Sequence, residues 1–109
     1  MVYLRRFVAV VLMTAVPVLA PALAADISVD QANGQFSQTK ESISRGDDLL
    51  LVNKDSGPHD ISVIDEDGDP TDLGVQAPGA TVRVKFPEEG LFTLRCAIAP
   101  TMRMSVSVN

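Results

Sequence analysis

The sequence predicts a single all-β domain built as a sandwich. Three observations carry that prediction. Apolar and polar residues alternate with period two almost throughout the chain after its first two dozen residues. Gly- and Pro-containing breakers separate the alternating runs at short intervals, and no stretch shows a convincing period near 3.6. With 109 residues the chain is too short for two domains, so one small core is expected.

The first element is a leader. Arg5 and Arg6 precede an apolar run from Phe7 to Ala20, followed by Ala22-Leu23-Ala24, with small residues at alternate positions. A basic start, an apolar middle and a small-residue end are the parts of a secretory signal peptide, which places the signal at residues 1–24 and the folded domain at residues 25–109. A retained membrane anchor is the alternative. Pro17 and Pro21 interrupt the run, which is shorter than the roughly 20 apolar residues a spanning helix needs. The Arg5-Arg6 pair hints at twin-arginine export, but its flanks suit the ordinary Sec route better. The domain is therefore expected in the periplasm or otherwise exported.

The strands follow in order. Leu49, Leu51 and Asn53 share one face, and Gly57-Pro58 ends that run. His59, Ile61 and Val63 alternate with Asp60 and Ser62, up to the breaker Gly68-Asp69-Pro70. Val82, Val84 and Phe86 alternate with Arg83 and Lys85 between Pro78-Gly79 and Pro87. Phe92, Leu94 and Cys96 alternate with Thr93 and Arg95, and Met102, Met104, Val106 and Val108 form the last apolar face after Pro100. Short strands joined by Gly/Pro turns predict antiparallel sheets packed face to face.

This alternation also aims three chemically distinctive side chains. The only histidine, His59, has the parity of Ile61 and Val63; the only cysteine, Cys96, has that of Phe92 and Leu94; Met102 has that of Met104 and Val106. All three stand at strand ends and face inward. An imidazole, a thiolate and a thioether make a soft donor set of the kind copper prefers. Each has a plainer role as well: a lone cysteine is often a small buried hydrophobe, an inward histidine a turn residue, and a methionine a core filler. A single unpaired cysteine in an exported chain points instead to a ligand or a reactive thiol.

Charge excludes some functions. The net charge is −5, and loss of Arg5 and Arg6 with the leader takes it to −7. That disfavours nucleic-acid binding, which requires a basic face, and suits electrostatically steered encounters with basic partners. One histidine cannot serve as both ligand and general base, and no local Cys-His spacing marks a nucleophile, so no enzyme is expected. Asp65, Asp67 and Asp69 superficially match the start of a calcium loop. Pro70 stands where glycine is required and Gln76 where glutamate is, so a solvated acidic turn is the expectation.

The stretch Cys96-Ala-Ile-Ala99-Pro-Thr-Met102, with His59 upstream, resembles the ligand loop of the cupredoxins, the small blue-copper electron-transfer proteins, and within them the amicyanin- and plastocyanin-like group. Gly46 to Asn53, Asn53-Lys54-Asp55, His59 to Val63, and Phe36 in Gly34-Gln35-Phe36 resemble further segments of that family. The resemblance implies a Greek-key β-sandwich and one copper ion held by His59, Cys96 and Met102. It also implies that Asn53 bonds to the ligand loop and steadies the thiolate. The implied role is a monomeric single-electron carrier serving a larger redox protein, such as a dehydrogenase or a cytochrome, with no membrane span once the signal is removed.

One position departs from the pattern. Ala99 stands where the family carries its second histidine. A methyl group has no lone pair, so one nitrogen donor is missing, and the remaining nitrogen and two sulfurs favour Cu(I). Two alternatives therefore accompany the electron-carrier expectation. One is a Cu(I) carrier or store; the other is a metal-free structural or interaction module.

Overall fold

The computed structural model describes residue 3, residues 5–17 and residues 23–109. Of the predicted leader, residues 1, 2, 4 and 18–22 lie outside the described residues, while residues 5–17 form neither helix nor strand. No helix of the described residues is long and apolar enough to cross a membrane.

Nine strands make up the described domain: β1 Asp26–Ala32, β2 Gln35–Phe36, β3 Lys40–Ile43, β4 Asp48–Asn53, β5 His59–Ile64, β6 Pro70–Gln76, β7 Thr81–Lys85, β8 Gly90–Cys96 and β9 Arg103–Val108. One sheet has the order β2-β1-β4-β7 and the other β3-β9-β8-β5-β6. The faces that meet between them carry the predicted alternation. Leu49, Leu51, Ile61, Leu94, Met104 and Val106 are all fully buried. Phe86 and Phe92 close one end of the core with an edge-to-face contact, their centroids 5.3 Å apart.

Two features differ from the sequence expectation. The sheets are mixed rather than purely antiparallel: β1 pairs with β4 in parallel, and so does β3 with β9. The chain leaves the first sheet after β2, runs β3 along the edge of the second, and returns as β4 beside β1 in the same direction. The second difference is β6, which begins at Pro70, a residue that reads as a breaker. β6 is the edge strand of its sheet, and a proline at the first position of an edge strand sacrifices no ladder hydrogen bond.

The β1–β2 connection is a two-residue hairpin loop, Asn33-Gly34, with φ of 54° and 67°. Both central residues with positive φ is the type I′ signature, whose twist suits adjacent antiparallel strands.

Candidate metal centre

Periodicity places His59, Cys96 and Met102 at strand ends but does not say which ends coincide. The register settles it. β5 and β8 run antiparallel with Ile61 opposite Cys96, so the first residues of β5 lie beside the last of β8. β8 and β9 pair with Arg95 opposite Arg103, which brings Met102, just before β9, back to the same rim. His59 faces Gln76 on β6, and the Asn53 side chain bonds the Gln76 carbonyl from the other sheet. Four predicted site residues, Asn53, His59, Cys96 and Met102, are thus buried at one end of the sandwich.

The central contact is between His59 Nδ1 and Cys96 Sγ, 3.4 Å apart. With metal–nitrogen and metal–sulfur bonds of about 2.0 and 2.3 Å, as in zinc sites, a 3.4 Å separation subtends about 105° at a shared ion. That is close to a tetrahedral angle, so the separation of these two donors matches that of two ligands on one ion. Met102 is buried in the same core cluster, and its carbonyl accepts from Cys96 N at 3.2 Å.

The loop between Cys96 and Met102 is a closed turn. Met102 N donates to Ala99 O at 2.9 Å, with Pro100 at the second position of the turn, where its fixed φ is an advantage. Ala97 N donates to Asp60 O at 2.9 Å and ties the loop to β5. Burial pushes the Cys96 thiol up. The backbone amides of Asp60, Ala99 and Ile98 and the His59 ring together outweigh it, so the net shift is downward. Burial pushes His59 down, and its bonds to Cys96 and Asp55 reverse that into a net rise. The Cys96 shift favours thiolate sulfur, the form that binds metal, whereas the His59 shift favours the protonated ring, which must lose a proton before Nδ1 can ligate. Ala99 is half-buried against the core and offers only its backbone.

Asn53 is fully buried and anchors this end. Its Nδ2 donates to the carbonyls of Gly57 at 3.0 Å and of Gln76 and Ala77 at 3.3 Å each, and its Oδ1 accepts from Asp55 N at 3.0 Å. These bonds fix the turn ahead of His59 and the segment after β6. None reaches the Cys96–Met102 loop, so Asn53 steadies the histidine side of the site.

One residue was missed. Asp55 Oδ2 lies 2.8 Å from His59 Nε2 and holds the ring so that Nδ1 faces Cys96. The same carboxylate accepts the backbone N–H groups of Asn33 and Gly34 from the β1–β2 hairpin. The Gly34 amide and the His59 ring together keep the Asp55 carboxyl below its ordinary range. A partner of this kind selects the tautomer and orientation of a ligating histidine. The available signal was the Asn33-Gly34 turn, whose exposed N–H groups need an acceptor.

Cys96, His59 and Asp55 form a nucleophile–base–carboxylate series, an arrangement also used in catalysis. Cys96 is 0% exposed and His59 5%, so no substrate carbonyl reaches the sulfur. The acidic turn lies elsewhere, between β5 and β6. Asp65, Asp67 and Asp69 converge there, but Asp65 Oδ1 is engaged by the backbone N–H groups of Asp67 and Asp69, as in a capped turn.

No family model matches the chain. It is 39% identical over 66 residues to the methylamine utilization protein MauL of Methylophilus methylotrophus, a match covering 59% of this chain and 38% of that protein. The chain thus spans about two fifths of the length of that curated relative. Among solved structures, a reduced amicyanin variant superimposes with a TM-score of 0.71 at 20% identity, covering 82% of this chain and 87% of that one. A purple cupredoxin from Nitrosopumilus maritimus gives 0.66 at 23% identity, covering 76% and 99%.

This is the cupredoxin fold. Its two sheets, with β4, β5, β8 and the turn before β9 meeting at one rim, account for the convergence of His59, Cys96 and Met102.

Proposed function

We propose that this chain is an exported copper-binding domain that carries single electrons for a larger redox protein. His59 Nδ1 and Cys96 Sγ hold the ion, and Met102 lends its thioether. The observation that carries the reading is the 3.4 Å approach of a ring nitrogen and a thiol sulfur, both buried at one rim of the sandwich. Copper bound there would supply a one-electron couple between Cu(I) and Cu(II). Backbone amides favour the thiolate over the thiol, Asp55 orients the ring, and burial of both donors excludes water. A fixed environment of this kind limits rearrangement between oxidation states.

Two further observations support the setting. The basic-then-apolar residues 1–24 support export. The relative at 39% identity is a methylamine utilization protein, which supports a place in amine metabolism with a dehydrogenase or a cytochrome as the electron partner.

Ala99 favours a second reading, a Cu(I) carrier or store, because one nitrogen and two sulfurs suit the reduced ion. The experiment that separates the two measures Cu(I) and Cu(II) affinities of residues 25–109 together with voltammetry. A reversible one-electron wave supports the carrier of electrons. Binding of Cu(I) alone with no wave supports the copper carrier. No binding, with an unchanged melting temperature at saturating copper, refutes both, since a ligand specific to the folded form must raise it.

A further inference from the structure

Gln31 on β1 is fully buried, and neither its Oε1 nor its Nε2 has a hydrogen-bond partner. A buried amide with both ends idle is costly, and a leucine would fill the same space without that penalty. Gln76 differs: its Oε1 is idle as well, but its Nε2 donates to Leu51 O at 2.9 Å and to Ala80 O at 2.8 Å, so that amide braces the strand ends. The Gln31 side-chain amide braces nothing.

Its place in the fold suggests what it serves. In register, Gln31 lies between Asn53 on β4 and Phe36 on β2, at the last pair of the β1–β4 ladder. Asn53 holds the turn before His59, and Phe36 borders the same recess as Met102. Gln31 has the inward parity of Val29, so its amide enters the space between the sheets at the end where His59, Cys96 and Met102 meet. The Cys96–Met102 loop offers one side-chain donor fewer there, because Ala99 has none.

We propose that the idle amide belongs to the metal centre: Gln31 Oε1 is a donor to the ion held by His59 and Cys96, supplied from β1 rather than from the ligand loop. This rests on the copper reading above. An amide oxygen is harder than thiolate or thioether, so its contribution falls mainly on Cu(II). It thereby offsets the Cu(I) bias that Ala99 creates.

The test compares residues 25–109 with the variant Gln31→Leu in three measurements. Copper-free melting should rise in the variant, since an unsatisfied amide has been removed. Its Cu(II) affinity should fall by about ten- to a hundredfold, the range seen when groups supporting a metal site are lost, with Cu(I) affinity nearly unchanged. X-ray absorption of the Cu(II) forms should show one oxygen or nitrogen donor fewer in the variant. If wild type binds copper and the variant matches it in Cu(II) affinity and donor count, Gln31 is no ligand and the proposal falls while the copper site stands. If wild type binds no copper in either state, the copper reading itself falls and takes the proposal with it.

Discussion

Replacing Asn53 by alanine removes a side chain that stitches one end of the sandwich together. Its amide makes four contacts: Nδ2 to the carbonyls of Gly57, Gln76 and Ala77, and Oδ1 from Asp55 N. An NH₂ group has only two hydrogens, so three acceptors amount to two bonds, one of them shared. With the bond to Oδ1, about three net hydrogen bonds are lost, at about 1 kcal/mol each, giving a destabilisation of about 3 kcal/mol. For a domain of this size each kcal/mol moves the melting temperature by about 4–8 °C, so a fall of about 12–24 °C is expected. Thermal and urea unfolding of copper-free residues 25–109 measure it, and an unchanged urea slope would show that stability rather than compactness has altered. A loss below about 1 kcal/mol, no more than a single bond, would mean that water replaces the amide at no cost and that Asn53 does not stitch this end together.

Three further outcomes are expected. Ala99→His should strengthen the thiolate-to-copper absorption of the Cu(II) form, because it restores a nitrogen donor in a loop already closed by the Met102–Ala99 bond. An unchanged spectrum would mean that position 99 does not face the ion. Asp55→Asn keeps an acceptor for the hairpin but weakens the hold on His59, so competition titration should show copper affinity lower by about ten- to a hundredfold; equal affinity would refute the orienting role. Asp26 is held below its ordinary range chiefly by its hydrogen bond to Arg83, which also bonds Asp48 and so joins β1, β4 and β7. A depressed carboxyl contributes stability above the unfolded value of 3.8 and loses it as pH falls through its lower folded value. The melting difference between wild type and Arg83→Met should therefore shrink as pH drops below 3.8, and a difference that grows there would contradict the sign.

The sandwich was legible because burial on one face writes itself into sequence as period two. That signal names Leu49, Leu51, Ile61, Leu94 and Met104 as core, and each is buried. It says nothing of strand direction, so the parallel pairings of β1 with β4 and β3 with β9 could not be read from it. Edge strand β6 escaped for a related reason: apart from Gln76 it has no fully buried face, so its alternation is weak. At the site, side chains with distinctive chemistry stood out: one histidine, one cysteine and a methionine. Asp55 and Gln31 did not. A carboxylate four residues before a histidine and a glutamine among surface-like polar residues look ordinary until the fold brings them to the rim. The Asn33-Gly34 hairpin pins the Asp55 carboxylate beside His59, and the β1–β4 ladder sets Gln31 beside Asn53, placements that local pattern cannot encode.

On the proposed reading, His59 and Cys96 grip one copper ion between them. Metal content and electronic spectrum, measured on copper-loaded residues 25–109 and on the variants Cys96→Ser and His59→Ala, test it most directly. One ion per wild-type chain with a thiolate-to-copper band is expected, the band abolished by Cys96→Ser and the ion lost or greatly weakened in both variants. Copper retained at full stoichiometry and equal affinity in either variant would contradict it.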